Sequence, residues 1–181
     1  LDYIRSKELY NVKFNAAAVR ATFLSTETGD QDGRTFIVAF KDGCLRVLRK
    51  AQNTFDVLST VRPHTKNIID FSIDTASKQI FTVSEDGTAF YLRLRPMEFV
   101  LDPIGFCKLP ATATTCCWTV EGSSCLVGFN NGNVIALNPP NPDEVDLEVS
   151  YEFTPKFAGI GYRQKRKPPE KPKTEGDDDD D

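Results

Sequence analysis

Apolar and polar positions alternate along most of this chain with the period of two that marks half-buried β-strands. The clearest stretch runs from 64 to 94, HTKNIIDFSIDTASKQIFTVSEDGTAFYLRL. It predicts an apolar strand over 68–73, a polar turn, a second strand over 80–84, a tight turn at Asp86-Gly87 and a third strand. Glycine suits that turn because a short hairpin demands a positive φ. The same hairpin recurs as FIVAF-KDG-CLRVL at 36–48 and CLVGF-NNG-NVIAL at 125–137. Its turn glycines, Gly43, Gly87 and Gly132, lie 44 and then 45 residues apart.

Between the hairpins the pattern supplies further strands: 8–14 as an outer strand, 17–24 as a buried one, and 54–61 as the next outer strand. The segment 99–109, FVLDPIGFCKL, reads as a bent outer strand, since Pro103 is tolerated where one edge stays unpaired. An inner strand follows at 113–120, and 145–153 alternates as a final outer strand. The chain thus divides into units at about 8–50, 51–95 and 96–140, each too small to bury its own faces. Four strands per unit at this period predict an all-β protein, a partial propeller of three consecutive four-stranded blades. Three units leave two open flanks, so further blades are expected to complete the ring, before this chain or from another segment. The predicted domains are a propeller region over 1–157 and a tail over 158–181.

Composition changes this picture chiefly at the tail. Residues 163–173 carry six Lys or Arg against one Glu, and 175–181 carry six acids. Opposed charge blocks, proline and little apolar content predict disorder there, as a solvated linker. The whole chain carries a net charge of −4, which argues against a nucleic-acid face. No run approaches the length of a membrane-spanning helix. The five cysteines, Cys44, Cys107, Cys116, Cys117 and Cys125, fall mostly within apolar strands, where free thiols act as small core residues in a reducing, intracellular setting.

Candidate chemistry is sparse. His64 is the single histidine, and no partner and nucleophile are evident for general-base work. No C-x-x-C pair exists, and the adjacent Cys116 and Cys117 of one strand point to opposite faces, so no metal site is expected. The run 128–132 is no phosphate loop, because Asn133 and Val134 follow on a strand. No cofactor and no small-molecule substrate are expected, and Trp118 is expected in the core. An enzyme of the propeller-channel kind would need converging carboxylate, His or nucleophile sets that this sequence does not offer.

In the unit 51–95, the residues His64, Thr82 and Asp86 resemble the hydrogen-bonded set of WD repeats, with Leu92 where that family usually has tryptophan. The first unit keeps Asp42 but has Val38 and Leu48 at the matching positions; the third has Val127, Asn131 and Leu137. The resemblance covers 8–153. It implies that His64, Thr82 and Asp86 are structural. A propeller's rigid rims suit protein docking, and topology makes the rim loops 65–67, 85–88 and 130–133 the default contact candidates. The degenerate repeats, the segment PIGFCKLP at 103–110 and the charged linker are further similar to large cilia- and flagella-associated WD-repeat proteins that tether inner-arm dynein. That resemblance implies an axonemal setting with dynein-associated or microtubule-associated partners. The rival reading is a nuclear or cytosolic adaptor, for ribosome assembly or ubiquitin ligase recruitment, with the basic block as an import signal.

Overall fold

A computed structural model describes residues 11–26, 30–76 and 78–141, with the backbone of two further strands at 151–156 and 159–164. Strands β1 (Ala18–Phe23), β2 (Thr35–Phe40), β3 (Leu45–Lys50) and β4 (Phe55–Val61) form one antiparallel sheet in chain order. Strands β5 (Ile68–Asp74), β6 (Gln79–Ser84), β7 (Thr88–Arg95) and β8 (Val100–Lys108) form a second. Strands β9 (Ala113–Trp118), β10 (Cys125–Phe129) and β11 (Val134–Leu137) form a third, of three strands among the described residues. The chain is all-β, a partial propeller of face-packed sheets.

Two apolar layers hold the sheets together. Ile37, Ala39, Leu45 and Val47 of the first sheet pack with Phe71, Ile80, Leu92 and Leu94 of the second. Phe81, Val83, Ala89 and Tyr91, on the second sheet's other face, pack with Cys116, Cys125 and Val127 of the third. Residues 37, 39, 45 and 47 recur 44 positions later as 81, 83, 89 and 91, so the sequence period is the period of sheet packing. Each fully buried Leu, Ile or Phe contributes roughly 1.5–3 kcal/mol.

The repeat extends to irregularities the sequence does not advertise. Pairing shifts by one residue between Ala18 and Arg20 in β1 and between Ile68 and Asp70 in β5. A further shift falls between Gly128 and Phe129, opposite β9. A bulge of this kind bends the inner strand and sharpens its twist.

Several expectations need correction. The turn expected at Asp86-Gly87 takes in Glu85 as well: Glu85, Asp86 and Gly87 connect β6 to β7. The expected buried strand at 17–24 is β1, and it is largely exposed, because among the described residues no sheet covers its outward side. Of the expected strand at 8–14, residues 8–10 lie outside the described residues and 11–14 form no strand. In the expected final strand at 145–153, residues through 150 also lie outside the description. Tyr151–Lys156 (β12) pairs instead with Gly159–Gln164 (β13). The tail expected from 158 therefore begins with a strand, since Ile160 and Tyr162 precede the charge block; residues 165–181 lie outside the description. Finally, the expected unit 51–95 includes 54–61, yet β4 pairs with β3 of the preceding hairpin. Sheets and sequence units are offset by one strand.

Candidate functional site

The one His–Asp constellation forms where the chain enters the second sheet. His64 Nδ1 lies 3.2 Å from Asp86 Oδ2 and 3.0 Å from Thr88 Oγ1, and Nε2 lies 2.8 Å from Thr82 Oγ1. The Thr88 hydroxyl donates to Asp86 Oδ1 at 2.5 Å, and the Thr65 amide donates to Asp86 Oδ2 at 3.0 Å. The tautomer satisfying every group has Nδ1–H donating to Asp86 and Nε2 accepting from the Thr82 hydroxyl. Phe90 closes the imidazole from one side, edge to face at 5.0 Å. Burial lowers the His64 pKa more than the Asp86 carboxylate raises it, so the ring stays neutral. Burial raises the Asp86 pKa, but the Thr88 and Thr65 donors and His64 together bring it below the ordinary value.

This arrangement has a base, an orienting carboxylate and two hydroxyls, the ingredients of nucleophilic catalysis. The His64 side chain is 0% exposed, however, so no substrate reaches it. Thr88 belongs to the set and sequence reasoning missed it; its place two residues after the turn aspartate was the available signal. Leu92, standing at the tryptophan position, packs in the layer between the first and second sheets.

The turns repeat more faithfully than the histidine set. Asp42 Oδ1, Asp86 Oδ1 and Asn131 Oδ1 accept from the amides of Cys44, Thr88 and Asn133, at 3.0, 3.0 and 3.1 Å. Gly43, Gly87 and Gly132 follow with φ of +82°, +79° and +84°. A side-chain acceptor that fixes its own turn and a left-handed glycine after it complete a three-residue hairpin loop. Gly43 has an added role, because a Cβ there would meet the His64 carbonyl oxygen at 2.3 Å.

In the first sheet the space corresponding to the histidine set is filled by different chemistry. Phe14 packs edge-on against Phe40 at 5.0 Å, and the Arg46 guanidinium lies 4.3 Å from the Phe40 ring centre. Arg46 also pairs with Asp42 at 2.7 Å. An aromatic and a cation over rings thus do what hydrogen bonds do in the second sheet.

Asp70, which sequence reasoning did not single out, joins all three sheets along the inner strands. Its Oδ1 accepts from Arg20 of β1 at 2.6 Å and from the Phe71 amide at 2.9 Å. Its Oδ2 accepts from the Thr115 hydroxyl and the Cys116 amide of β9, at 2.9 and 3.0 Å. A lone carboxylate inside the run IIDFSI was the available signal. Trp118 is partly buried, donating from its ring nitrogen to the Ser72 carbonyl at 3.2 Å.

Cys44, Cys107, Cys116 and Cys125 are buried and Cys117 is exposed; none is in a disulfide. Burial pushes the Cys107 thiol up to about 12 and raises Cys116 and Cys125 further, so these are packing groups rather than nucleophiles. Among the described residues no cluster of three metal-binding side chains occurs.

Fold and repeated turns together define a class: a segment of an all-β propeller built from consecutive sheets. The curated proteins it is similar to include the cilia- and flagella-associated protein 44 of Trypanosoma brucei brucei, 33% identical over 168 residues, covering 92% of this chain. The protein of the same name from Chlamydomonas reinhardtii is 24% identical over 163 residues, covering 79% of the chain. The chain spans 9% of the length of each. These relatives place the chain in the cilium or flagellum. No family model matches it. Among solved structures, a Bacteroides fragilis protein provisionally assigned as a 6-phosphogluconolactonase aligns with a TM-score of 0.61 at 15% identity, over 72% of this chain and 37% of that one. Saccharomyces cerevisiae Sqt1 aligns at 0.57 and 12% identity, over 69% and 32%. At such identity these two speak to the fold alone.

Proposed function

We propose that this chain is part of a non-enzymatic, WD-type scaffold for protein–protein interaction in the cilium or flagellum, a structural or regulatory component of the axoneme. The observation that carries the reading is the sealed His64–Asp86–Thr82–Thr88 set, whose polar chemistry is spent on holding a blade together. The names of the relatives supply the setting, and dynein-associated or microtubule-associated proteins are the partners that fit it. A rigid sheet stack with exposed turns suits docking better than chemistry that needs mobile groups. The test is to tag the whole protein in a flagellate and extract isolated cilia with detergent. The tagged protein should remain with the insoluble axoneme; complete release into the soluble fraction would overturn the scaffold reading.

A further inference from the structure

The rim formed by the glycine turns carries a charge pattern that the net charge conceals. Lys41 opens the first turn, Arg62 and Lys66 flank His64 before β5, and Lys108 ends β8; all four are exposed. Backbone hydrogen bonds place these segments side by side. The His64 amide donates to Gly43 O at 3.4 Å, Glu85 N to Asn67 O at 3.0 Å, and Leu109 N to Gly87 O at 2.8 Å. None of the four cations forms an ion pair with a described residue. The carboxylates of Asp42 and Asp86 on this rim are occupied by turn amides, Arg46 and Thr88, which leaves Glu85 as the exposed acid between the turns. At the opposite rim Arg34 meets Asp32 at 3.8 Å, Arg95 meets Glu98 at 2.5 Å and Asp102 at 2.7 Å, and Lys78, between β5 and β6, is half-buried.

We infer that the glycine-turn rim is a docking surface for an acidic, extended polypeptide segment of a partner protein, held by Lys41, Arg62, Lys66 and Lys108. Unpaired cations on one face of a net-negative chain concentrate the field where a partner carboxylate gains most. A peptide fits better than a nucleic acid. Single cations separated by turns, with Glu85 among them, match spaced carboxylates rather than a continuous phosphate backbone. Among the described residues no exposed aromatic ring lies on this rim for bases to stack on. The inference rests on the scaffold reading and gives it a surface.

The experiment measures anisotropy of a fluorescein-labelled poly-Glu peptide with the full chain across a salt series, with poly-Gln and poly-dT as comparisons. Poly-Glu should bind, poly-Gln should not, and affinity should fall as salt rises. The combined variant Lys41→Gln, Arg62→Gln, Lys66→Gln, Lys108→Gln should weaken poly-Glu binding by about tenfold or more. The opposite-rim variant Arg34→Gln, Lys78→Gln should leave binding unchanged. Equal binding by the four-site variant, equal weakening by the opposite-rim variant, or tighter binding of poly-dT would each overturn the proposal. So would a large gain in poly-Glu affinity when Asp177–Asp181 are all changed to Asn, which would make the chain's own acidic run the occupant. The two readings fail separately. Release from the axoneme with intact, rim-dependent poly-Glu binding sinks the scaffold, whereas axonemal retention with rim-independent binding sinks the rim.

Discussion

Burial holds the His64 pKa below its ordinary value of 6.5 against the pull of Asp86, and this sets a direction for stability against pH. Below 6.5 the unfolded chain binds a proton at this histidine that the folded chain resists, so stability falls as pH drops through that window. Asp86 acts in the same sense at lower pH, because its depressed pKa contributes stability above 3.8 that is lost as pH falls through the folded value. His64→Gln should therefore flatten the loss of urea-midpoint stability on acidification from neutrality to just below 6.5. At neutral pH, His64→Ala should cost about 1–3 kcal/mol by emptying the buried imidazole site and removing a donor from Asp86 and an acceptor from Thr82. An unchanged slope and midpoint would show that the ring carries no structural load.

Among the elements, the inner strands β1, β5 and β9 meet at Asp70, whose four donors come from three different sheets. Asp70→Asn keeps the size but turns a donating NH₂ toward groups that are themselves donors, with a penalty of roughly 1–3 kcal/mol. Hydrogen exchange should accelerate at β1 and β9 while the β6–β7 hairpin keeps its protection; uniform acceleration would deny the linking role. The strands and hairpins were legible in the sequence, because an alternating pattern punctuated by Gly43, Gly87 and Gly132 leaves few other foldings. Asp70 was not, since counting apolar periods passes over one carboxylate. Phe14 and Arg46 were not either, because a search by residue type finds the hydrogen-bonded set and misses rings and a cation filling the same space. The exposure of β1 was hidden for another reason: burial depends on what packs against a strand, and the strand's own residues do not encode its neighbours.

At the scale of the whole molecule, the outward face of the first sheet stands apart. Phe23, Phe36 and Phe55 form a row with ring centres 5.4 and 5.2 Å apart, and Phe23 and Val57 are 66% and 48% exposed. Phe36 and Phe55 are half-buried, and a partly exposed aromatic row of this kind favours association. The chain in isolation should self-associate with rising concentration, and Phe23→Ser with Val57→Thr should shift it toward monomer in sedimentation velocity without lowering its melting temperature. A monomer at all concentrations before substitution would contradict this.

The one-strand offset between sequence unit and sheet has a practical consequence for dissecting the protein. A cut at about 50, where the repeat suggests a boundary, removes β4 from β3 and leaves that sheet with a bare edge. A cut between β4 and His64 keeps the sheet whole, but it separates Gly43 from the His64 carbonyl that lies where its missing side chain would be. Neighbouring blades are thus interleaved like shingles, and the excisable modules follow the hydrogen-bond ladders rather than the 44-residue rhythm.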